Sequence, residues 1–161
     1  MENKGADPVL FGEYELTVDD KNRLLVPAEI RRSIPPDYGE TLFLVMGTNR
    51  VPWFYPERFY EDLVTQAPSD MMPDEDLLAY NQLHFAMASK LPWDKQGRVT
   101  MPDRILKRAS IGKDVTLVGV RDHLELWNRA DWEVRRGELE NRSPEITARA
   151  KLVRQQNPPS S

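Results

Sequence analysis

The chain has 161 residues, of which 40% are hydrophobic and 30% are charged, and it contains no cysteine. This length and composition suit one compact domain or two very small ones, and they exclude a large multidomain enzyme, disulfides and thiolate metal ligands. The net charge of −4 argues against a nucleic-acid partner unless positive charge is concentrated locally.

The amino-terminal residues 1–16 contain no apolar stretch of signal-peptide length, and no apolar run in the chain reaches the roughly 20 residues that cross a bilayer. Because cysteine is also absent, we expect a soluble protein with no membrane partner, located in the cytoplasm. A first strand is predicted to end near Asp19.

A turn, a short strand and a short helix are predicted to follow. The strand covers residues 24–26, and Pro27 marks the change to helix, because the fixed φ and missing N–H of proline suit the first helical position. In that helix Ile30 is expected to face the core, while Arg31 and Arg32 face solvent or a partner. Two more strands follow, and a closing helix begins near Pro56.

The next segment is predicted to be a linker that ends in a connecting helix at residues 74–88. Asp74, Glu75 and Asp76 are well placed for the positive end of its dipole, and apolar residues recur behind them. The same carboxylates, together with Asp70, could bind a metal ion. An acidic helix start explains them without a metal, and we expect none.

The second half of the chain repeats the first. Three pairs of residues are each separated by 75 positions: Asp19 and Asp94, Arg23 and Arg98, and Pro27 and Pro102. LFLV at 42–45 is similar to VTLV at 115–118, and FYPERFYE at 54–61 is similar to LWNRADWE at 126–133. Such self-similarity indicates two copies of one structural unit.

The second copy is therefore predicted to contain the same elements as the first. A short strand covers residues 99–101, a helix follows Pro102 with Ile105 towards the core, and a closing helix begins near Asn128. Three further cations of the helix after Pro102 are expected to face outward: Arg104, Lys107 and Arg108.

Few large apolar residues follow, so we predict only a short helix after Ser143 and Pro144 and disorder in the final residues. The chain is thus divided into a first repeat at 11–61, an acidic linker with the connecting helix at 62–87, a second repeat at 88–133 and a charged, partly disordered tail at 134–161. A β-rich unit of about 50–60 residues buries too little surface alone, so the copies are expected to complete each other's core.

Positive charge is concentrated in the repeated segments. Residues 19–32 and 94–108 together carry nine positive and five negative charges, whereas the rest of the chain has a net charge of −8. Lysine and arginine neutralise DNA phosphates, and arginine can also bind guanine in the major groove. An alternative stays open, in which Asp19 pairs with Arg23 and Asp94 with Arg98 to hold each turn; the two roles are compatible.

The segments DDKNRLLVP and DKQGRVTMP resemble the two D-x-K-G-R turns, each followed by proline, of the MraZ family. The similarity extends through GEYELTVDDKNRLLVPAEIR and VTLVGVRDHLELWNRADWE and covers residues 11–135. It implies an α+β, mainly β fold, in which two SpoVT/AbrB-like repeats of the swapped-hairpin type form a pseudo-symmetric unit. A short helix follows the strand after each turn, and a connecting helix joins the repeats.

The resemblance also implies a sequence-specific DNA-binding transcription regulator that works as a ring-shaped homo-oligomer in the nucleoid. Its expected targets are short direct repeats upstream of the cell-division and cell-wall gene cluster, including its own gene. A ring that presents several loops to several repeats gains avidity from weak single contacts. No cofactor and no small-molecule substrate are implied.

Site residues follow from the positions that match the family's turns. The implied DNA-binding residues are Lys21, Asn22, Arg23, Arg31, Lys95 and Arg98. The implied turn-shaping residues are Asp19, Asp94 and Gly97. Asn22 replaces the usual glycine and can do so because asparagine tolerates a positive φ. Gln96 replaces the second lysine, for which Lys95 compensates, and Asn81 and Gln82 stand where the resemblance implies basic residues.

Two other classes of function were weighed. An enzyme is disfavoured, because the chain has two histidines, no phosphate-binding glycine loop and no nucleophile elbow; His84 and His123 are better explained as structural or surface residues. The other class is an AbrB-type antitoxin, or an interaction protein that has lost strong DNA binding and holds a protein through its tail. The tandem repeat argues against a simple antitoxin.

Overall fold

The structure is a computed structural model that describes residues 7–159. Residues 1–6, part of the segment in which we expect no signal peptide, and residues 160–161, part of the tail predicted to be disordered, lie outside the described residues. The chain divides into two units, one up to Asn128 and one from Arg129 onward. None of the helices at 7–159 is long and apolar enough to span a membrane.

The described part of the first unit contains eight strands and four α-helices. The strands are β1 (Glu13–Thr17), β2 (Arg23–Leu25), β3 (Thr41–Met46), β4 (Pro52–Pro56), β5 (Ser89–Pro92), β6 (Arg98–Thr100), β7 (Asp114–Gly119) and β8 (Leu124–Asn128). The helices are α1 (Ala28–Ser33), α2 (Glu57–Gln66), α3 (Glu75–Ala86) and α4 (Asp103–Arg108). Short 3-10 turns lie at Pro36–Tyr38 and Thr48–Arg50.

Six strands form one antiparallel sheet in the order β1-β7-β8-β4-β3-β5, and β2 and β6 form a separate two-stranded ribbon. The α+β, mainly β fold class is therefore confirmed. Strands from before and after α3 interleave in the sheet, since β1 pairs with β7, β4 with β8 and β3 with β5. Each half of the unit therefore supplies strands that pair with strands of the other half.

The core lies on the faces of these strands that carry alternating apolar residues. Leu42 and Leu44 of β3, and Leu124 and Leu126 of β8, are each at most 1% exposed. This period of two is the pattern of a strand that buries one face. Ile30 of α1 and Ile105 of α4 are buried in the same core, as their positions after the prolines predict.

The predicted element boundaries agree with the structure to within about two residues, because β1 ends at Thr17 and α3 ends at Ala86. Pro27 and Pro102 directly precede α1 and α4, and β2 and β6 each begin one residue earlier than predicted. The connecting helix α3 is confirmed, and the side chain of Asp74 caps it by accepting a hydrogen bond from the backbone of Asp76 at 2.9 Å.

The second unit consists of helix α5 (Arg129–Asn141) and helix α6 (Ser143–Gln156). The prediction of a short helix after Ser143 was wrong in its length, because α6 has 14 residues. Large apolar residues are not needed where helix propensity is high, and alanine, lysine, leucine and arginine fill this segment. Glu145 and Arg149, which are one helical turn apart, form an ion pair at 2.8 Å that stabilises the helix.

Candidate nucleic-acid interface

The first turn is held by the carboxylate of Asp19. Its Oδ1 accepts hydrogen bonds from the backbone N–H groups of Lys21 at 2.9 Å and Arg23 at 2.8 Å, and its Oδ2 pairs with Nε of Arg23 at 2.7 Å. The backbone closes the turn, since Asn22 N–H donates to the carbonyl of Asp19. One carboxylate thus orders both the loop backbone and the arginine beside it.

The second turn repeats this arrangement with different residues. Oδ1 of Asp94 accepts from the backbone of Gln96 at 2.9 Å and of Arg98 at 3.0 Å, and its Oδ2 pairs with Nε of Arg98 at 3.1 Å. Gly97 N–H donates to the carbonyl of Asp94. Arg98 also donates through Nη2 to Gln96 Oε1 at 3.1 Å, so Gln96 orients the arginine.

The ribbon joins the two turns symmetrically. Arg23 is opposite Thr100, and Leu25 is opposite Arg98. The turns therefore lie at opposite ends of a ribbon three residues long, with the two arginines about 7 Å apart along the strand direction. The backbone of each turn also accepts a hydrogen bond from the other repeat of the same chain. Met101 N–H donates to the carbonyl of Asn22 at 2.7 Å, and Val26 N–H donates to the carbonyl of Gly97 at 2.8 Å.

The two faces of the ribbon differ in chemistry. Leu24 and Val99 point into the core and are each 1% exposed. The opposite face carries two half-buried arginines with an exposed apolar and an exposed hydroxyl side chain: Arg23, Arg98, Leu25 and Thr100. Sequence reasoning missed Leu25 and Thr100 as surface residues of this face, although the alternation around Leu24 and Val99 carries the signal.

Both turns need a residue in the left-handed region. Asn22 has φ 61° and Gly97 has φ 82°, so asparagine fills the position that its tolerance of positive φ predicted. Gly97 has a second constraint, because a Cβ there would lie 2.5 Å from Cζ of Arg31. Arg31 also donates from Nε to the carbonyl of Val26 at 3.0 Å. The structure therefore places Arg31 against the second turn, in contact with the ribbon backbone.

The chain is similar in sequence to one family of known proteins. A family model described as "MraZ protein, putative antitoxin-like" matches residues 84–154. The protein "Transcriptional regulator MraZ" of Clostridium tetani is 31% identical over 125 residues, which are 78% of this chain and 85% of that protein. The chain belongs to the MraZ family. Proteins with the same name from Acetivibrio thermocellus (31% identity, 87% and 94% coverage) and Mycoplasma mobile (33%, 77% and 82%) are also similar.

The remaining predicted contacts of this MraZ-family chain lie around the ribbon. Lys21 and Lys95 are exposed at the tips of the turns. Arg23 uses Nε for Asp19, and both its Nη atoms have no hydrogen-bond partner among residues 7–159. Around the ribbon, Lys107 pairs with Asp103 at 2.8 Å. Arg108 donates to the sulfur of Met87.

Hydrogen bonds hold the carboxylates of Asp19 and Asp94 in the ionised form. Backbone hydrogen bonds from Arg23 are the main reason that the pKa of Asp19 is lowered, and those from Arg98 act in the same way on the pKa of Asp94. Each carboxylate pairs with Nε of its arginine, and among residues 7–159 the Nη atoms of Arg23 have no hydrogen-bond partner while Nη2 of Arg98 donates to Gln96. The arrangement can present a guanidinium edge to an anion without a change in the loop.

The histidines occupy structural positions in this fold. His123 is 6% exposed in the hairpin between β7 and β8, with its ring nitrogens 2.7 Å from Asp122 and 2.8 Å from Glu125, and it stacks on Trp53. Burial opposes protonation, but the hydrogen bonds to both carboxylates outweigh it and raise the pKa of His123. His84 of α3 lies 2.6 Å from the hydroxyl of Tyr60, and burial lowers its pKa.

The acidic residues before α3 form no metal site that the geometry supports. Within residues 7–159 no group of three or more histidine, aspartate or glutamate side chains is arranged to hold a metal ion. Asp74 is engaged as the helix cap, and Asp70 accepts a hydrogen bond from the backbone of Met72 at 3.0 Å. The carboxylates of Asp70 and Asp74 therefore bind the local backbone.

Proposed function

We propose that this chain is a sequence-specific DNA-binding transcription regulator that reads DNA with the exposed face of the β2–β6 ribbon and its two turns. The observation that carries the proposal is the presence of two aspartate-held arginines, Arg23 and Arg98, on one ribbon face. The major groove of DNA, about 12 Å wide, admits a two-stranded β-ribbon. The relatives' name, transcriptional regulator, supports the same function.

Each candidate residue receives a role in this proposal. Arg23 and Arg98 contact phosphates or guanine edges through their Nη atoms, and Lys21 and Lys95 at the turn tips contact phosphates. Asp19 and Asp94 order the turns, and Asn22 and Gly97 supply the positive φ. Arg31 supports the second turn from behind, because its guanidinium lies on Gly97.

The organisation of the regulator follows from the repeats. Residues 11–61 and 88–133 act as two SpoVT/AbrB-like copies that share the ribbon, residues 62–87 link them, and residues 134–161 form the tail. The chain assembles into a homo-oligomeric ring in the cytoplasm and nucleoid, and several weak ribbons together bind several DNA repeats. The targets are short direct repeats upstream of the cell-division and cell-wall gene cluster, its own gene included.

Specificity and electrostatics can be tested together with two DNA fragments. We expect tight binding to the region upstream of the chain's own gene and much weaker binding to a fragment of equal length with that sequence scrambled. Affinity for both should fall steeply between about 50 and 200 mM salt, because phosphate contacts release counterions. Equal affinity for the two fragments, or an affinity that is independent of salt, would contradict the proposal.

A second candidate function is an antitoxin or a protein-interaction module, and the antitoxin-like description of the matching family model favours it. In that case the tail holds a protein partner and the ribbon binds DNA weakly or not at all. A complex with a protein should depend less on salt than phosphate contacts do. Binding of the scrambled and upstream fragments with equally low affinity would favour this second function.

A further inference from the structure

Helix α3 leaves its apolar residues uncovered. None of its residues is buried, and five large apolar side chains are between 44% and 72% exposed: Leu77, Leu78, Tyr80, Leu83 and Phe85. On one side α3 borders a groove of about 700 Å³ that it forms with α2, β3 and β4, lined by aromatic rings that include Trp53 and Tyr55. Of these five side chains, Leu77, Tyr80 and Phe85 line the groove. A large exposed apolar surface of this kind marks an interaction site.

The border of this groove is strongly acidic. Residues 59–89 contain six carboxylates and no lysine or arginine. Four of the six lie within one short segment at the start of α3: Asp70, Asp74, Glu75 and Asp76. They are exposed, and Asp70 lines the groove itself. The surface therefore suits an apolar segment that carries positive charge at its edges.

Helix α6 has this chemistry. Ile146, Ala150 and Val153 recur at the spacing that places them on one helix face, and Arg149 and Arg154 flank that stripe. No residue of α6 is buried, and Val153 is 55% exposed. Arg149 also pairs with Glu145 at 2.8 Å, which holds its guanidinium beside the stripe.

We propose that the acidic groove of one subunit binds helix α6 of a second subunit, that is, of another molecule of this chain. Charge complementarity identifies the occupant, since residues 59–89 lack basic residues while α6 carries three against a single glutamate. Two different surfaces meet in this contact, so it is heterologous and propagates into a ring or an open chain. The inference deepens the self-association part of the proposed function and is independent of DNA binding.

The absence of cysteine makes a direct test possible. Tyr80→Cys, at the groove, and Val153→Cys are placed in two differently tagged chains that are co-expressed, purified through both tags and treated with a short bis-maleimide. Both positions are more than half exposed, so the substitutions leave the core intact. The expected product is a covalent two-chain species that carries both tags, at least about five times more abundant than in the control.

The control pairs Val153→Cys with Phe11→Cys, which is 59% exposed beside the edge strand β1 and should give background cross-linking only. A chain with both Tyr80→Cys and Val153→Cys that cross-links only within itself overturns the proposal, because the groove is then filled by its own helix. A large assembly without the α3–α6 cross-link also overturns it.

Charge reversal gives an independent readout. Arg149→Glu with Arg154→Glu should shift the assembly to smaller species in sedimentation velocity, while Arg135→Glu, an exposed cation of α5, should not. An unchanged sedimentation profile in the double variant contradicts the proposal. A wild-type chain that stays monomeric overturns both this inference and the ring, whereas the DNA titration with the unmodified chain decides the regulator separately.

Discussion

Gly97 and Asn22 hold equivalent positions in the two turns but face different neighbours. Gly97→Ala should lower the free energy of unfolding by roughly 1–2 kcal/mol, because alanine at positive φ is strained. The new Cβ would also displace Arg31, which lies 2.5 Å away. Urea unfolding measures the loss.

Two variants separate these causes. Gly97→Asn should lose less than Gly97→Ala, because asparagine tolerates the left-handed region that Asn22 already occupies. Gly137→Ala in α5 is the matched control, since an added Cβ there meets nothing within 4 Å and alanine favours a helix. If Gly97→Ala is as stable as the unmodified chain, the turn does not have the backbone described.

The stability of the two turns depends on pH through the carboxyl groups of Asp19 and Asp94. A carboxyl whose pKa is lowered on folding stabilises the fold above its unfolded pKa, and this contribution is lost as pH falls through the lowered value. The amide NMR signals of Lys21 and Arg23 should therefore keep their native positions until the pH is below the ordinary aspartate range.

Asp19→Asn serves as the control for this titration. It should remove the acid transition from the first turn and leave the signals of Gln96 and Arg98 titrating as before, because Asp94 holds the second turn independently. A transition of the Lys21 and Arg23 amides at the usual aspartate pKa would mean that the hydrogen bonds to Asp19 are not maintained in solution.

At the scale of elements, the ribbon has one core face and one outer face. Leu24→Ala should lower the free energy of unfolding by roughly 2–5 kcal/mol, because Leu24 is 1% exposed and its removal leaves a cavity. Leu25→Ala, one residue along and 45% exposed, should change it by about 0.5 kcal/mol or less. Equal losses in urea unfolding would contradict the observed register.

Local signals in the sequence predicted several elements well. The prolines at 27 and 102 fixed the starts of α1 and α4, and the aspartate at 74 fixed the start of α3, because each acts on the backbone beside it. The ion pairs of both turns were predictable for the same reason, since Arg23 and Arg98 lie four residues from their aspartates.

Features that depend on distant residues were not predictable in this way. The position of Arg31 on Gly97 joins the two halves of the chain, and helix periodicity alone suggested an outward-facing side chain. The exposure of the apolar residues of α3 is another example, because their spacing indicates a helix but not what covers it. The length of α6 does not follow from its apolar content, because residues of high helix propensity extend the helix without it.

At the scale of the whole molecule, an acidic chain can still present a basic surface. The interleaved strands of the sheet bring the two halves together, and the ribbon then places Arg23 and Arg98 on one face, about 7 Å apart along the strand direction. Negative charge is concentrated elsewhere, above all in residues 59–89. We infer that this separation of charge lets one surface bind DNA while another binds a neighbouring subunit.

The two turn arginines, Arg23 and Arg98, are proposed to contact DNA. The most direct test of this contact is titration of the upstream fragment with the unmodified chain, with Arg23→Ala plus Arg98→Ala, and with the control Arg135→Ala, while light scattering follows the assembly. We expect the double variant to lose at least tenfold in affinity and to have a shallower salt slope, with an unchanged assembly mass. Equal binding by all three proteins would contradict the proposal and leave the two arginines as braces of their turns.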